Sequence, residues 1–258
     1  MARPQRAAES LSLEDAANRL ASKERHVSTI LRRIQRIRAL PQNATLLDVG
    51  CAQGQFLIAC SKMGLNSVGV EPSPIAREVA ARLAQREAVS IRLVAGVAEM
   101  LPIAPDSVDL VHMMSVVEHV KNAEATFREA YRVLKPGGVY WFFTASKMSP
   151  RQGEIRGFPC FGWYPDRLKR RIMNWAVRHR PHLVGHTNLP AINWFTPRKA
   201  RRMLAEAGFN EVYDRWQLRL PCEGGRLYQT LLRLIRSNGV ARVLADVVVP
   251  NCSYAAMK

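Results

Sequence analysis

Asp48, Gly50, Gly54 and Glu71 are the residues whose types and spacing could do chemistry. Asp48 lies inside the apolar run 46–49, Gly50 ends that run, and Gly54 opens an apolar helical pattern within the stretch Thr45 to Phe56, TLLDVGCAQGQF. A buried strand that stops at a tight turn beneath a helix start lets backbone N–H and C=O groups approach a ligand closely. The chemistry this favours is the binding of a nucleotide-type cofactor. A dinucleotide needs glycine at the first, third and sixth positions of such a turn, so that pyrophosphate can lie against it. Counted from Gly50, those positions hold Gly50, Ala52 and Gln55, which argues against a dinucleotide. Glu71, just past the next apolar run NSVGV, offers instead a carboxylate able to accept hydrogen bonds from both hydroxyls of a ribose.

The elements that must position these residues follow in alternation. The spacing predicts a helix over 54–63 ending at Gly64, a strand over 66–70, a helix over 73–87 and a strand over 91–94. After a loop through Pro102 and Pro105 come a strand over 108–113, a helix over 122–134, a stop at 135–138 (KPGG) and a strand over 139–144. Short apolar strands alternating with helices imply a mostly parallel sheet covered on both faces, with ligands at the carboxyl ends of its strands. Upstream, residues 11–38 repeat apolar residues at helical spacing, with acids early and arginines late, as the helix dipole favours. Residues 1–40 therefore read as an N-terminal helical cap on a domain spanning 41–258. Within that domain, 146–196 is a basic, aromatic-rich insertion without strand signal. Thr196 as N-cap, Pro197 behind it and Gly208 at the end frame a further helix, followed by a strand over 210–218, a helix over 225–238 and a last strand over 247–257.

Charge is unevenly placed in this chain of 258 residues and net charge +17. Residues 1–40 carry nine basic against four acidic side chains, 41–150 ten against ten, and 151–258 nineteen against seven. A neutral middle with basic flanks points to a directed positive face. The five cysteines form no CxxC pair and no zinc spacing, so a reduced, cytoplasmic-type protein without a metal is expected. The N-terminal decapeptide lacks an apolar core, and no run reaches the roughly 18 apolar residues of a spanning helix.

LLDVGCAQGQF, VGVEPSP, GVAEMLP, DSVDLVHMMSVVEHV and EAYRVLKPGGVYWFFT occur in the order and spacing of class I S-adenosylmethionine-dependent methyltransferases. The chain resembles most the branch holding ubiquinone- and menaquinone-biosynthesis and natural-product small-molecule methyltransferases, strongly over 45–145 and moderately over 197–218. The resemblance implies a Rossmann-like, seven-stranded α/β sandwich whose last strands form an antiparallel hairpin, with S-adenosylmethionine as cofactor. It implies that Gly50, Cys51, Ala52 and Gly54 wrap the methionine part, that Asp48 orients the turn and the amino group, and that Glu71 holds the ribose. Pro72 would pack by the adenine, Ala98 would meet it through its backbone, and Met113 would offer a carbonyl. Two positions depart from the family: Ala52 stands where glycine is usual, and Val97 where an aspartate usually meets the adenine amino group. Water or Glu99 would replace that contact, and the two departures leave a non-catalytic scaffold as an alternative.

Methyl transfer from a sulfonium needs alignment of nucleophile and methyl, and a base when the nucleophile is a hydroxyl of high pKa. His119, in the segment VEHV at the expected mouth, is the candidate base for O-methylation, with helix capping as its alternative role; His186 is a second candidate. Helix 165–180 should place Leu168, Ile172, Trp175 and Ala176 on one face and Arg167, Arg170, Arg171 and Arg178 opposite. It reads either as a lid or as an interfacial helix on an anionic membrane, the latter suiting a lipid-linked acceptor and peripheral membrane association. A small-molecule acceptor fits the apolar stretch 113–116 (MMSV), whereas RNA is the rival use of the basic flanks. Nothing in the pattern sets an oligomeric state.

Overall fold

In a computed structural model, which describes residues 13–184 and 190–258, the run around Asp48 becomes β1 (Thr45–Val49), an interior strand of a seven-stranded sheet. Its order is β3-β2-β1-β4-β5-β7-β6, with β2 (Asn66–Val70), β3 (Arg92–Val94), β4 (Val108–Met114), β5 (Leu134–Ala145), β6 (Glu211–Asp214) and β7 (Asn251–Met257). β1 to β5 pair in parallel, and β7 runs antiparallel between β5 and β6. The expected Rossmann-like sandwich with a terminal antiparallel hairpin is thus the observed topology.

Helices cover both faces because alternate residues of the central strands are apolar on both sides. One face carries α1 (Leu13–Gln35), α2 (Gln55–Lys62) and α3 (Pro74–Arg86), packed on Leu46, Leu110, Val139 and Trp141. The other carries α4 (Ala123–Val133) and α6 (Pro197–Glu206) around Phe127, whose ring meets those of Tyr140, Phe142 and Phe195. The local signals for these helices hold. Ser73 Oγ accepts from Ala76 N ahead of Pro74, Asn122 Oδ1 from Ala125 N, and Thr196 Oγ1 from Lys199 N ahead of Pro197.

Three expectations need correction. The expected stop at 135–138 lies inside β5, where Gly137 takes a φ of 75° and the β4–β5 register shifts between Val108 and Leu110. The run 210–218 divides into β6 and a short helix, α7 (Arg215–Leu218), because Asp214 and Gln217 form a reciprocal capping box. The last strand begins at Asn251 rather than 247: after α8 (Arg226–Ser237), Asn238 Oδ1 accepts from Val240 N and Ala241 N and starts α9 (Gly239–Val248). A valine-rich run that reads as strand is helical there.

The insertion builds its own small core from Ile155, Phe161, Met173, Ala176, Ala191 and Trp194 around α5 (Asp166–His179). The helix is where it was expected, but its faces are not. Lys169, Met173 and Ala176 point inward with Ile172 partly buried, whereas Leu168 and Trp175 are exposed, and Trp175 shares a shallow recess with Arg171, Arg178 and His179. Lys169 and Met173 occupy the inward stripe that the apolar spacing assigned to Leu168 and Trp175.

Candidate functional site

The turn after β1 is held by a short ladder. Gly50 N and Cys51 N donate to Val70 O at 2.8 and 3.3 Å, and Gly54 N donates to Cys51 O at 2.9 Å. Gly50 has φ 72°, in the left-handed region, and an added Cβ would lie 2.5 Å from Val116 Cγ2. Glycine is required there on both grounds. Ala52 also has positive φ, at 46°, and its N–H donates to Glu71 Oε2 at 3.0 Å. Glu71 Oε1 accepts from Ser73 N at 2.9 Å, so one carboxylate joins the turn after β1 to the turn after β2. The carboxylate is only 9 % exposed, and each oxygen uses one of its two acceptor positions on backbone. Cys51 is buried beside it, and burial, then Asp48 and Glu71, push its thiol well above the usual range, so it is a neutral wall rather than a nucleophile.

Asp48 lies below that turn, near enough for its charge to act on the Cys51 thiol. Its Oδ1 meets His112 Nδ1 at 2.7 Å, across the β1–β4 register that pairs the two residues, and both are almost fully buried. Phe56 stacks on the imidazole at 3.6 Å between ring centroids. A buried carboxylate requires such a partner. The sequence held only half of this signal: an acid in a buried strand needs a partner, but the strand that supplies it is sixty residues away.

Other expected contacts are spread around the same edge. Pro72 is exposed, with its carbonyl accepting from Arg77 Nη1 at 2.9 Å. Ala98 is buried in the core shared with Val49, Val70 and Met113. Met113 pairs with Val49 in register, so β4 ends beside the Gly50 turn, while its side chain points into the core and accepts from Tyr140 Oη at 3.2 Å. Glu99 Oε1 accepts from Lys121 N at 2.8 Å. His119 is half-buried in the turn after β4, its N–H donating to Val116 O at 2.9 Å. His186 lies outside the described residues.

The insertion is stitched onto that same turn. Ile192 N and Asn193 N both donate to Glu118 O, and Asn193 Nδ2 donates to Val117 O and Val120 O at 3.2 and 2.7 Å. Glu118 is buried, with its Oε2 accepting from Thr144 Oγ1 at 2.8 Å. Burial, reinforced by the Glu154 carboxylate, pushes its carboxyl up to about 7 against hydrogen bonds from Thr144 and Ser115. Behind it, Trp194 Nε1 donates to Glu154 Oε2 at 3.0 Å, and Lys169 lies over the Trp194 ring at 3.9 Å. Asn193, Thr144 and Glu154 carry no recognisable spacing, and only their placement by the fold reveals them. Among the described residues, no group of His, Cys, Asp and Glu could hold a metal ion, and no helix is long and apolar enough to cross a membrane.

Comparison with known proteins gives this geometry a family. Residues 47–142 match the family model described as a methyltransferase domain. An uncharacterized methyltransferase of Mycolicibacterium gilvum is 40 % identical over 180 residues, 68 % of each chain. The chain belongs to the class I S-adenosylmethionine-dependent methyltransferases. A ubiquinone biosynthesis O-methyltransferase of Agrobacterium fabrum is 32 % identical over 102 residues, 40 % of this chain and 41 % of that one. The alignments span between 36 % and 68 % of the length of such curated relatives. In fold, the methyltransferase is similar to phosphoethanolamine N-methyltransferase 2 of Haemonchus contortus, solved with S-adenosylmethionine, at TM-score 0.57 and 18 % identity over 90 % of this chain and 52 % of that one.

The residues present fit that cofactor. Glu71 keeps one free acceptor position on each oxygen, the arrangement that two adjacent ribose hydroxyls require, and Gly50, in the left-handed region, adds no side chain of its own to the turn. Two outcomes follow. Glu71→Ala should weaken S-adenosylhomocysteine binding in calorimetry by about 1–3 kcal/mol, the usual range for hydrogen bonds to a charged group; unchanged affinity would remove Glu71 from the site. The Glu118 carboxyl, raised above its ordinary 4.5 to about 7 in the folded chain, stabilises the fold below pH 4.5 and loses that contribution as pH rises through about 7. Urea denaturation at pH 5.5 and 8 should therefore show a drop of up to about 2 kcal/mol that Glu118→Gln removes, and an identical drop in both proteins would contradict the assignment.

Proposed function

We propose that the methyltransferase moves a methyl group onto a hydroxyl of a small-molecule or lipid-linked acceptor, with His119 as general base. The observation that carries this reading is the clasp of Asn193 on the turn holding Glu118 and His119, which sets the insertion over the carboxyl ends of β4 and β5. An acceptor entering there meets the loop from Met114 to Val116, in which Ser115 is exposed and Met114 and Val116 are half-buried. The likeness to a ubiquinone biosynthesis O-methyltransferase supports oxygen as the methylated atom.

S-adenosylmethionine supplies, when bound, a methyl group on a positively charged sulfur. The chain's own residues do the rest. Glu71 and the Gly50 turn orient the cofactor, and the clasped insertion excludes water and aligns the acceptor hydroxyl, which is where most of the rate enhancement in such a displacement arises. His119 takes the hydroxyl proton as the oxygen–carbon bond forms, leaving a neutral methyl ether and a neutral thioether product. Glu118, adjacent but turned inward to Thr144, is a positioning residue that holds the His119 turn through its carbonyl and carboxyl. RNA methylation remains the rival outcome, drawing on the recess of Arg171, Trp175, Arg178 and His179.

Transfer of tritiated methyl into fractionated lipid, small-molecule and RNA extracts tests the proposal. Label should enter the lipid or small-molecule fraction as an alkali-stable ether. His119→Ala should lower that incorporation by about 100-fold or more, the usual contribution of a general base, with cofactor affinity unchanged. Label confined to RNA, or full activity in the His119 variant, would sink this reading.

A further inference from the structure

The helical pair between β6 and β7 leaves seven large apolar side chains uncovered among the described residues. In α8, Leu227, Leu231 and Leu234 follow i, i+4, i+7 spacing and all are exposed. In α9, Val240, Val243, Leu244 and Val248 are exposed as well, and that mostly apolar helix buries no residue. These seven side chains retain between 51 % and 85 % of their accessible surface. The pair is nevertheless anchored. Leu232 and Ile235 pack on Trp216, Trp216 Nε1 donates to Asp246 Oδ1 at 2.7 Å, and Arg236 Nε donates to Trp216 O at 2.9 Å. A fixed scaffold thus presents an uncovered apolar face, which in a water-exposed protein marks an interaction surface.

Charge and length identify what fits it. Residues 215–248 hold six arginines, at 215, 219, 226, 233, 236 and 242, against Glu223 and Asp246. On α8 the exposed Arg226 and Arg233 lie away from the leucine stripe, so the helix has an apolar edge flanked by cations. A second copy presenting the same patch would offer these arginines little acid, since Glu223 is engaged by Arg33 and Arg219 and Asp246 by Trp216. Helices of 12 and 10 residues are too short to span a bilayer but suit one lying in the interfacial plane. Arginines beside such a face favour anionic headgroups over neutral ones. The position is also apt. β6 runs parallel to β5, so this connection leaves and re-enters the sheet at the carboxyl edge, and Ser146 N donates to Pro250 O at 2.9 Å, tying its end to the first residue of the insertion.

We propose that α8 and α9 dock the enzyme on an anionic lipid surface, with Leu227, Leu231, Leu234, Val240, Val243, Leu244 and Val248 entering the headgroup region and Arg226 and Arg233 pairing with lipid phosphates. This extends the lipid-linked reading of the acceptor, but it stands on a different surface from the catalytic mouth and from α5. The test is co-sedimentation of the full chain with vesicles of phosphatidylcholine alone or containing phosphatidylglycerol. Binding should be at least tenfold stronger to the anionic vesicles. Leu227→Ser/Leu231→Ser/Leu234→Ser should reduce it at least tenfold with S-adenosylhomocysteine affinity unchanged, and Arg226→Gln/Arg233→Gln should remove most of the preference for phosphatidylglycerol. Absence of vesicle binding, or binding indifferent to the leucine substitutions, would overturn the docking, as would a dimer in sedimentation velocity that the leucine substitutions dissolve. Methyl transfer to a soluble acceptor without vesicle binding would overturn the docking alone and leave the proposed reaction standing.

Discussion

The Glu71 carboxylate, accepting from Ala52 N on one side and Ser73 N on the other, is the constraint on which the cofactor site depends. It fixes the turn after β1 against the turn after β2, so that neither can move without breaking a charge-assisted hydrogen bond. The same two bonds leave one acceptor position free on each oxygen. Gly50 makes this geometry attainable, because only a residue free to adopt a left-handed φ can let the chain leave β1 at that angle beneath Val116. Below the turn, the Asp48–His112 pair ties β1 to β4.

The acceptor side is organised by a different device. The insertion has a core of its own, around Trp194 and Met173, and meets the catalytic edge chiefly through backbone groups of Val117, Glu118 and Val120. Such backbone bonds hold position with little dependence on neighbouring side chains, so the lining of the mouth can vary while the frame stays. The buried Lys169 beneath it is paired with the half-exposed Asp166 and lies over the Trp194 ring, as a buried charge must be partnered, while Lys147 pairs with Asp166 and Glu154 with Trp194.

What could be read from the sequence was local. Gly50 and Glu71 lie within one strand–helix–strand unit, and the cap residues Ser73, Asn122 and Thr196 each act within four positions of themselves. The mostly parallel sheet and its cofactor edge followed from the alternation of strand and helix, and the terminal antiparallel hairpin from the family resemblance alone. Non-local pairings escaped: nothing adjacent to Asp48 announces His112, and nothing adjacent to Asn193 announces the carbonyls of Val117 and Val120. Local competition misled twice. The valines near 248 carry strand propensity, yet Asn238 caps a helix over them, and the apolar stripe of α5 rotates because Lys169 and Met173 take the inward positions. In both, a tertiary or capping interaction overrode the residue-by-residue preference.

The most direct measurement is a crystal structure of the chain with S-adenosylhomocysteine. The ribose hydroxyls should each lie within hydrogen-bond distance of one Glu71 oxygen while the bonds from Ala52 N and Ser73 N persist, with the amino-acid part of the ligand against the Gly50 turn. A ligand bound elsewhere, or a Glu71 carboxylate that accepts only from backbone while the ribose is held by other residues, would contradict the account.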